Sequence, residues 1–166
     1  MLLSVPLDIL QKLPVFQDLS PTQLTRVFRL CQQEEYGQGA CLCKAGAKSD
    51  RMFILLAGTV AVYTPRRVLL VRETAITTIG EAGLLTGEPR AASVWTETAV
   101  QALMIRRRSL LQLMQNDPSL ATRLYRNVMI LLRQKLVAAD HRIEELAASR
   151  QGRKAGNAEP VSAPDS

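Results

Sequence analysis

The sequence predicts a mainly β domain with flanking helices, an α+β class, and three observations lead to it. Residues 34–106 consist of short apolar runs separated by Gly, Pro and Asp, which is typical of strands in a sandwich or barrel. The segments before and after this region carry the apolar spacing of helices. The chain has 166 residues, 47% of them apolar, which is enough for one domain with a substantial core.

The N-terminal segment, residues 1–33, is predicted to be helical. Ser20 and Gln23 have the spacing of a capping box, with Pro21 at the first helical position. The apolar residues of the helix that follows fall on one face: Leu24, Val27, Phe28 and Cys31. We expect this helix to pack against the β domain and to bind no ligand.

Strands are predicted from the apolar runs of the β region, which are residues 52–56, 59–63, 68–71, 93–94 and 100–105. Segment 79–94 interrupts these runs with the sequence IGEAGLLTGEPRAASV. A short helical insertion between strands suits a ligand site, because the sheet supplies a rigid wall and the turn supplies hydrogen-bond donors.

Two helices are predicted within residues 107–149. The first covers about residues 109–115, and a longer one begins with Asp117 as N-cap and Pro118 at its first position. Along the long helix, apolar residues are spaced alternately by four and three: Tyr125, Met129, Leu132, Leu136, Ala139, Ile143 and Leu146. We expect this seam to form a parallel homodimeric coiled coil, and the alternative is an amphipathic helix folded against its own domain.

The net charge of the chain indicates which classes of partner are favoured. A net charge of +6 favours acidic partners in general but does not define a site. The densest basic run, Arg106, Arg107 and Arg108, follows an apolar strand, and we interpret it as a solvated strand end in preference to a nucleic-acid surface. With no apolar run long enough to cross a bilayer and no secretory signal at the start, we expect a cytoplasmic protein without membrane contact.

Cysteine and histidine usage argues against a metal enzyme. Cys31, Cys41 and Cys43 are an odd number without a secretion signal, so we expect buried thiols and no disulfide framework. The chain has a single histidine, His141, which lies in a helical segment. A metal-dependent β-barrel enzyme needs more histidine ligands than this one. No nucleophile elbow or P-loop is present. The sequence predicts a protein that is not an enzyme and needs no cofactor or metal.

Segment 79–94 combines the groups that bind a sugar phosphate. Arg90 follows a proline, and its planar fork can form charge-assisted bonds to a phosphate worth roughly 1.5–3 kcal/mol each. Glu81 opens an apolar turn where a carboxylate can accept from a sugar hydroxyl while backbone N–H groups face an anion. Gly80 and Gly83 allow close approach of the backbone. Each dipeptide alone is typical of a surface loop, but their joint order favours a binding site.

The segment resembles the phosphate-binding cassette of the cyclic nucleotide-binding domain family, of the catabolite activator protein and protein kinase A regulatory subunit type. The residues in register with the cassette are Gly80, Glu81, Leu84, Leu85, Gly87, Pro89, Arg90, Ala91, Ala92 and Ser93. The flanking residues that follow the family are Leu10, Leu13, Pro14, Phe16, Leu19, Ser20, Tyr36, Gly39, Gly46, Asp50, Phe53, Ile54, Gly58 and Val60. Two positions depart from it: Ile79 replaces the usual Phe, and Gly83 stands where Ala or Ser is commoner, which predicts a looser turn and weaker affinity.

The resemblance implies an eight-stranded jelly-roll β-barrel over residues 34–106, with short N-terminal helices, a cassette helix and a long C-terminal helix. The implied ligand-binding residues are Gly80, Glu81, Ala82, Gly83, Leu84, Pro89, Arg90, Ala91, Ala92 and Ser93. Arg90 would pair with the exocyclic phosphate oxygens and Glu81 would hold the ribose 2′-hydroxyl. Backbone N–H groups near Gly83, Leu84 and Ala92 would add bonds to the phosphate.

The resemblance also favours cyclic AMP over cyclic GMP, because family members selective for cyclic GMP often carry Thr at the position of Ala91. Ser93 would lie near the phosphate or the base. In the family the long helix closes over the base, so a residue of the partner chain or one on this helix would contact the purine. The candidates on the helix are Arg123, Arg126, Arg133 and Asp140.

The function expected from the sequence is a cytoplasmic regulatory module that passes cyclic nucleotide binding through its C-terminal helix to an effector protein or across a homodimer. The alternative is a dimerising scaffold or DNA-associated protein of the same fold with a vestigial pocket. Bacterial transcription factors of the family continue into a helix-turn-helix domain, which does not follow here, so DNA is the less favoured partner. Residues 150–166, rich in Gly, Ala, Pro, Ser and charge, are expected to be a disordered tail.

Overall fold

The computed structural model describes residues 7–156, with side chains through residue 149. Its strands are β1 (Gln32–Tyr36), β2 (Cys41–Cys43), β3 (Arg51–Ala57), β4 (Thr59–Tyr63), β5 (Leu69–Thr74), β6 (Thr77–Ile79), β7 (Ser93–Thr96) and β8 (Val100–Arg106). Its helices are α1 (Leu7–Lys12), α2 (Pro21–Phe28), α3 (Glu81–Thr86), α4 (Arg107–Asn116) and α5 (Pro118–Gly156), and Pro14–Phe16 form a 3-10 turn. The chain divides into two compact units between Met129 and Ile130, so all the strands belong to the first unit.

The strands form two antiparallel four-stranded sheets in the order β1-β8-β3-β6 and β2-β7-β4-β5. Most connections between consecutive strands pass from one sheet to the other, as in a jelly roll. This arrangement confirms the predicted mainly β fold of eight strands with flanking helices. Helix α3, which carries several of the candidate ligand-binding residues, lies on one of these connections, between β6 and β7.

The prediction of a closed barrel is wrong, because the strands form two separate sheets. No strand pairing joins one sheet to the other among the described residues. The edge strands β2 and β6 have only three residues each. Such short edges offer too few backbone groups to carry the pairing from one sheet to the next. The fold is therefore a sandwich.

The core between the sheets is built from the alternating inward faces of the strands. Its buried residues are Leu42, Phe53, Leu55, Val60, Ile79, Val94, Val100, Ala102 and Met104. The central strands β3 and β8 bury their other face as well, as the burial of Met52, Ile54, Leu103 and Ile105 shows. Helix α4 contacts β8 and α2 contacts α4, so helices cover this second face. The segment that carries α3 therefore rests on a sheet packed on both sides.

The predicted capping residues are found at the starts of α2 and α5. The Ser20 hydroxyl accepts from the N–H of Gln23, and the Gln23 side chain accepts from the N–H of Ser20, which confirms the capping box. Asp117 caps α5 by accepting from the N–H of Leu120 at 3.0 Å, with Pro118 at the first helical position. Helix α4 begins at Arg107, two residues before the predicted start.

Three strands have no counterpart among the predicted apolar runs: β1, β6 and β2, which is a three-residue strand paired with β7. Strand β1 reads QQEEY and lies at a sheet edge, with Tyr36 and Glu34 only half-buried. Strand β6 is Thr77–Ile79, too short and polar for a pattern. Strands β1 and β6 form because a neighbouring strand supplies their hydrogen bonds. Strand β8 pairs with β1, and β3 pairs with β6.

The cysteines are half-buried, so the expectation of buried thiols is met only in part. Burial nevertheless raises the pKa of Cys31 to about 12. Burial also raises the pKa of Cys43, and the nearby positive charge of Arg90 partly opposes that rise. Both thiols are therefore protonated at neutral pH and have low reactivity.

Helix α5 extends further than expected. It continues to Gly156, past the predicted end near Ser149, so residues 151–156 are helical and not part of a disordered tail. The rest of the predicted tail, residues 157–166, lies outside the described residues. Within the first unit, Leu120, Leu124 and Val128 form a buried stripe on α5 at intervals of four residues.

Candidate functional site

The cassette helix α3 begins and ends at a glycine in the left-handed conformation. Gly80 has φ 87° and Gly87 has φ 81°. A Cβ atom at Gly80 would lie 2.0 Å from Nη1 of Arg90. The left-handed backbone angle therefore favours glycine at residue 80, and the guanidinium of Arg90 fills the space that a Cβ would occupy. This is the close approach that the sequence analysis expects of a glycine here.

Arg90 is folded inward beside the start of α3. Its side chain is buried, with 7% of the residue exposed. Nη1 donates to the carbonyl oxygen of Gly80 at 3.4 Å, and Nη2 donates to the carbonyl oxygen of Arg51. Nε is buried and has no hydrogen-bond acceptor among the described residues. A buried guanidinium with an unmatched N–H is costly for the fold and well suited to an anionic ligand.

The backbone of Arg90 is held by the loop between β2 and β3. The N–H of Arg90 donates to the carbonyl oxygen of Ala47 at 2.8 Å, and the N–H of Gly46 donates to the carbonyl oxygen of Arg90 at 2.7 Å. Three residues on, the hydroxyl of Ser93 accepts from the N–H of Ala45 at 2.9 Å. The loop thus fixes the position from which the guanidinium starts. The sequence analysis named Gly46 as a family position but assigned the loop no role at the site.

Glu81 lies at the same end of α3 as the guanidinium of Arg90. It is the first residue of the helix and is 3% exposed. Arg90 bonds to the carbonyl of Gly80, the residue just before Glu81. A buried carboxylate and a buried guanidinium are therefore placed at the same end of a six-residue helix, nine positions apart in sequence.

The backbone donors of α3 divide into two groups. The N–H of Leu84 donates to the carbonyl oxygen of Gly80 at 3.1 Å, so it is used inside the helix. The N–H groups of Ala82 and Gly83 come before the first intrahelical bond and have no acceptor within the helix itself. No side chain caps this helix start. Of the N–H groups named from sequence on α3, that of Gly83 is better placed for a ligand than that of Leu84.

The remaining candidate residues lie on the strand side of the cassette. Pro89 and Ala91 are exposed, and Ala92 is half-buried. The carbonyl oxygen of Ala92 accepts a weak bond from the thiol of Cys43 at 3.9 Å. These residues flank Arg90 along the chain.

Gly83 has a packing role in this structure. A Cβ atom there would lie 2.3 Å from Oγ of Ser49 and 2.8 Å from Cβ of Ser49. Ser49 is 1% exposed, and its Oγ has no hydrogen-bond partner among the described side chains and backbone. The Ser49 side chain thus occupies the space that Ala or Ser would need at residue 83, and contact between the two residues supports the turn.

Arg107 holds the other end of α3, and the sequence analysis did not assign it there. Its Nε donates to the carbonyl oxygen of Leu84 at 2.8 Å, and its backbone N–H donates to the carbonyl oxygen of Asp50 at 2.8 Å. A Cβ at Gly87 would lie 2.9 Å from Nη2 of Arg107. The interpretation of the basic run as a solvated strand end is therefore wrong for Arg107, because α4 begins at this residue and turns it toward the cassette.

Two residues named as possible base contacts are engaged with the N-terminal segment. Arg123 donates to the carbonyl oxygen of Asp18 and to the Gln23 side chain, and Arg126 forms an ion pair with Asp18 at 3.4 Å. Arg133 and Asp140 are exposed. The structure does not single out which residue would contact a base.

Two surface cavities, of about 270 and 630 Å³, are lined by α4 and its neighbours and by no cassette residue. At the cassette, Arg90 lies folded against backbone oxygens. A nucleotide phosphate would therefore have to take over the guanidinium from the carbonyls of Gly80 and Arg51.

Comparison with known proteins agrees with this geometry. The family model described as the cyclic nucleotide-binding domain matches residues 33–117, just over half of the chain. A cyclic nucleotide-gated potassium channel of Mesorhizobium japonicum is 33% identical over 69% of this chain and 31% of the channel. A CRP-like cAMP-activated global transcriptional regulator of Mycobacterium tuberculosis is 26% identical over 76% of this chain and 58% of the regulator. The chain thus spans less than two thirds of either relative.

A solved structure shows the same fold. The N-terminal domain of a transcriptional regulator from Streptomyces coelicolor has a TM-score of 0.68 and 26% identity, covering 77% of this chain and 94% of that domain. Within residues 7–156, no helix of this chain combines the length and apolar character needed to cross a membrane. The jelly-roll sheets, the glycine-bounded helix α3, the inward guanidinium of Arg90 and the match over residues 33–117 lead to one conclusion: the chain belongs to the cyclic nucleotide-binding domain family.

Proposed function

We propose that this chain is a regulatory module that binds cyclic AMP at the cassette and performs no catalysis. The observation that carries the proposal is the guanidinium of Arg90, which is 7% exposed and whose Nε has no acceptor among the described residues. Fold stability alone does not call for an arginine at such a position, because burying an unmatched N–H costs free energy. A phosphate at this place would supply both the missing acceptor and the opposite charge.

The neighbouring groups suit the rest of a cyclised sugar phosphate. Glu81 is buried beside Arg90, where its carboxylate could accept from the ribose 2′-hydroxyl. The N–H groups of Ala82 and Gly83 stand at the uncapped start of α3 and could donate to phosphate oxygens. The loop that pins Arg90 through Gly46 and Ala47 limits how far the guanidinium must move to reach the ligand.

The preference for cyclic AMP rests on two arguments. Ala91 has no hydroxyl that could accept from the 2-amino group of guanine, and adenine carries no amino group at that position. The Mycobacterium tuberculosis relative is described as cAMP-activated. We also propose a cytoplasmic location for the module.

Signal transmission is assigned to α5 and to a second copy of the chain. The seam residues Tyr125, Met129, Leu132, Leu136, Ile143 and Leu146 are 40–67% exposed, and Ala139 is exposed as well. Apolar residues exposed at heptad spacing are typical of a coiled-coil seam. Ligand binding would shift the population of α5 positions, and the change in the seam would reach an effector protein.

The test of the cassette is isothermal titration of cyclic AMP into the wild-type chain and the Arg90→Ala variant. The variant should bind at least tenfold more weakly, because it loses charge-assisted bonds worth more than about 1.4 kcal/mol. Arg66→Ala removes an exposed arginine from the β4–β5 turn and should leave the affinity unchanged. Equal affinity in the wild type and in Arg90→Ala, with both proteins folded, would refute the assignment of Arg90.

The test of the dimer is sedimentation equilibrium of the Leu136→Lys variant. A charge on the seam should convert a dimer to a monomer, because the ammonium group would be buried at the coiled-coil interface. Val137→Lys is the matched control, since residue 137 is also exposed but lies outside the seam. A wild-type chain that stays monomeric at high concentration, or a Leu136→Lys variant that stays dimeric, would contradict the proposed interface.

A further inference from the structure

A basic groove lies where β3, β8 and α4 come together, outside the cassette. Its volume is about 630 Å³. Five basic residues line it: Lys48, Arg51, Arg106, Arg107 and Arg108. Asp50 is its only carboxylate among the described residues. We use the name basic groove for this cavity.

The fold does not neutralise the charge of the basic groove. Arg51 and Arg106 are directly opposite each other in the β3–β8 ladder, and like charges in such a pair repel. Arg51 has one ion pair, to Asp50 at 3.3 Å. In the described part of the chain, no carboxylate comes within ion-pair distance of Lys48, Arg106 or Arg108. An arrangement of this kind fits an anionic partner that crosses between the two strands.

The other residues of the basic groove have the chemistry of a peptide site. Met104, 2% exposed, and Leu111, half-buried, give it an apolar floor. Gln112 and Gln115 lie one turn apart on α4 and can each donate to and accept from a peptide backbone. A cavity of this volume holds a few side chains and is within the usual range for ligand sites.

A nucleic acid fits the basic groove less well. Duplex recognition needs basic side chains spread along many phosphates, whereas these five surround one cavity. Amide side chains and an apolar floor add nothing to backbone phosphate contacts, but they match the main chain and side chains of a peptide.

We propose that the basic groove docks an acidic peptide segment of a partner protein, with carboxylates on Arg51, Arg106 and Arg108 and an apolar side chain over Met104. The proposal does not depend on cyclic nucleotide binding, because it uses none of the cassette residues. Arg107 nevertheless connects the two places, since it lines the groove and donates to the carbonyl of Leu84 on α3. A bound peptide would therefore lie beside the residue that holds the cassette helix.

The experiment is fluorescence anisotropy with a dye-labelled peptide of alternating Glu and Leu residues, titrated with the full chain. The groove variant combines Arg106→Glu with Arg108→Glu. The control combines Arg66→Glu with Arg67→Glu, which changes the net charge equally on the exposed β4–β5 turn. The groove variant should bind the peptide at least tenfold more weakly, and the control should stay within about twofold of the wild type.

Three outcomes would overturn the proposal. They are no binding of the peptide to the wild type, an equal loss in both variants, and tighter binding of a duplex DNA oligonucleotide that is lost in the groove variant. Circular dichroism melts check that each variant folds. If the glutamate variant is unfolded, Arg106→Gln with Arg108→Gln replaces it, and an unchanged peptide affinity in that variant would equally contradict the docking site.

Discussion

The start of α3 and the start of α5 use opposite chemistry. At α5, Asp117 accepts from the N–H of Leu120, forms an ion pair with Arg26 at 2.8 Å and receives bonds from the Gln23 amide. At α3, a left-handed glycine precedes the helix and no side chain caps it. One helix start is capped by a side chain that also forms an ion pair, and the other has no side-chain cap and lies next to a buried arginine whose Nε has no acceptor among the described residues.

This difference separates a structural contact from the proposed binding site. The cluster of Gln23, Arg26, Asp117 and Ser119, which we call the clasp, joins α2 to α5. None of its side-chain atoms is among the buried polar atoms without a partner in the described part of the chain, so we interpret it as a contact that stabilises the fold. At the cassette, Arg90 is buried although its Nε has no acceptor among the described residues, and this burial costs free energy. Mutations in the clasp should therefore change the unfolding free energy and leave the affinity for cyclic AMP unchanged. Mutations around α3 should change both quantities.

The largest effect is expected for Gly83→Ala. The new Cβ would overlap Ser49, and overpacking of this kind typically costs about 1–3 kcal/mol of unfolding free energy. Ser49→Gly removes the overlapping atoms, so the double variant should recover most of the loss. Urea denaturation of the wild type, both single variants and the double variant measures the coupling. Additive effects of the two substitutions would show that Ser49 does not support the cassette.

A smaller effect is expected for Arg107→Ala. The variant loses the bond to the carbonyl of Leu84, which should lower the unfolding free energy by about 1 kcal/mol. The affinity for cyclic AMP should fall by less than it does in Arg90→Ala, because Arg107 positions α3 whereas Arg90 is the proposed contact to the phosphate. Arg108→Ala, next in sequence and exposed, is the control and should behave like the wild type in both urea denaturation and calorimetry. An Arg107→Ala variant indistinguishable from this control would remove the role of Arg107.

The sequence predicted the cassette better than the contacts that support it. Arg90, Glu81 and Gly80 carry chemistry at fixed spacing, so a local pattern identifies them. Ser49 and Arg107 act on α3 from other elements and carry no motif of their own, because their roles arise only when β3 and α4 are placed beside the helix. The same reason explains why β6 was not predicted and why an open sandwich was taken for a closed barrel.

The smallest effect is expected from Asp117→Asn in the clasp, and it depends on pH. The N–H of Leu120, the Ser119 hydroxyl, the Gln23 amide and the charge of Arg26 lower the pKa of Asp117 below its ordinary value of 3.8. A lowered pKa means that the ionised carboxylate stabilises the fold above about pH 4 and that this contribution is lost as the pH falls through the folded-state pKa.

Thermal melts between about pH 3 and pH 7 test this difference. The wild type should lose more of its Tm on acidification than Asp117→Asn, and the affinity of the variant for cyclic AMP at neutral pH should equal that of the wild type. An identical pH dependence in both proteins would contradict the role of the carboxylate. A loss of affinity in Asp117→Asn would show that the clasp and the cassette are not separate in function.

The central claim is that the cassette around Arg90, whose Nε has no acceptor among the described residues, is a working cyclic nucleotide site, and calorimetric titration of the wild-type chain tests it most directly. The account predicts saturable binding of one cyclic AMP per chain, weaker binding of cyclic GMP, and weaker binding still of linear AMP, whose uncyclised phosphate does not match the cassette. Absence of binding heat for both cyclic nucleotides, with the protein folded, would contradict the account and leave a family fold with a vestigial pocket.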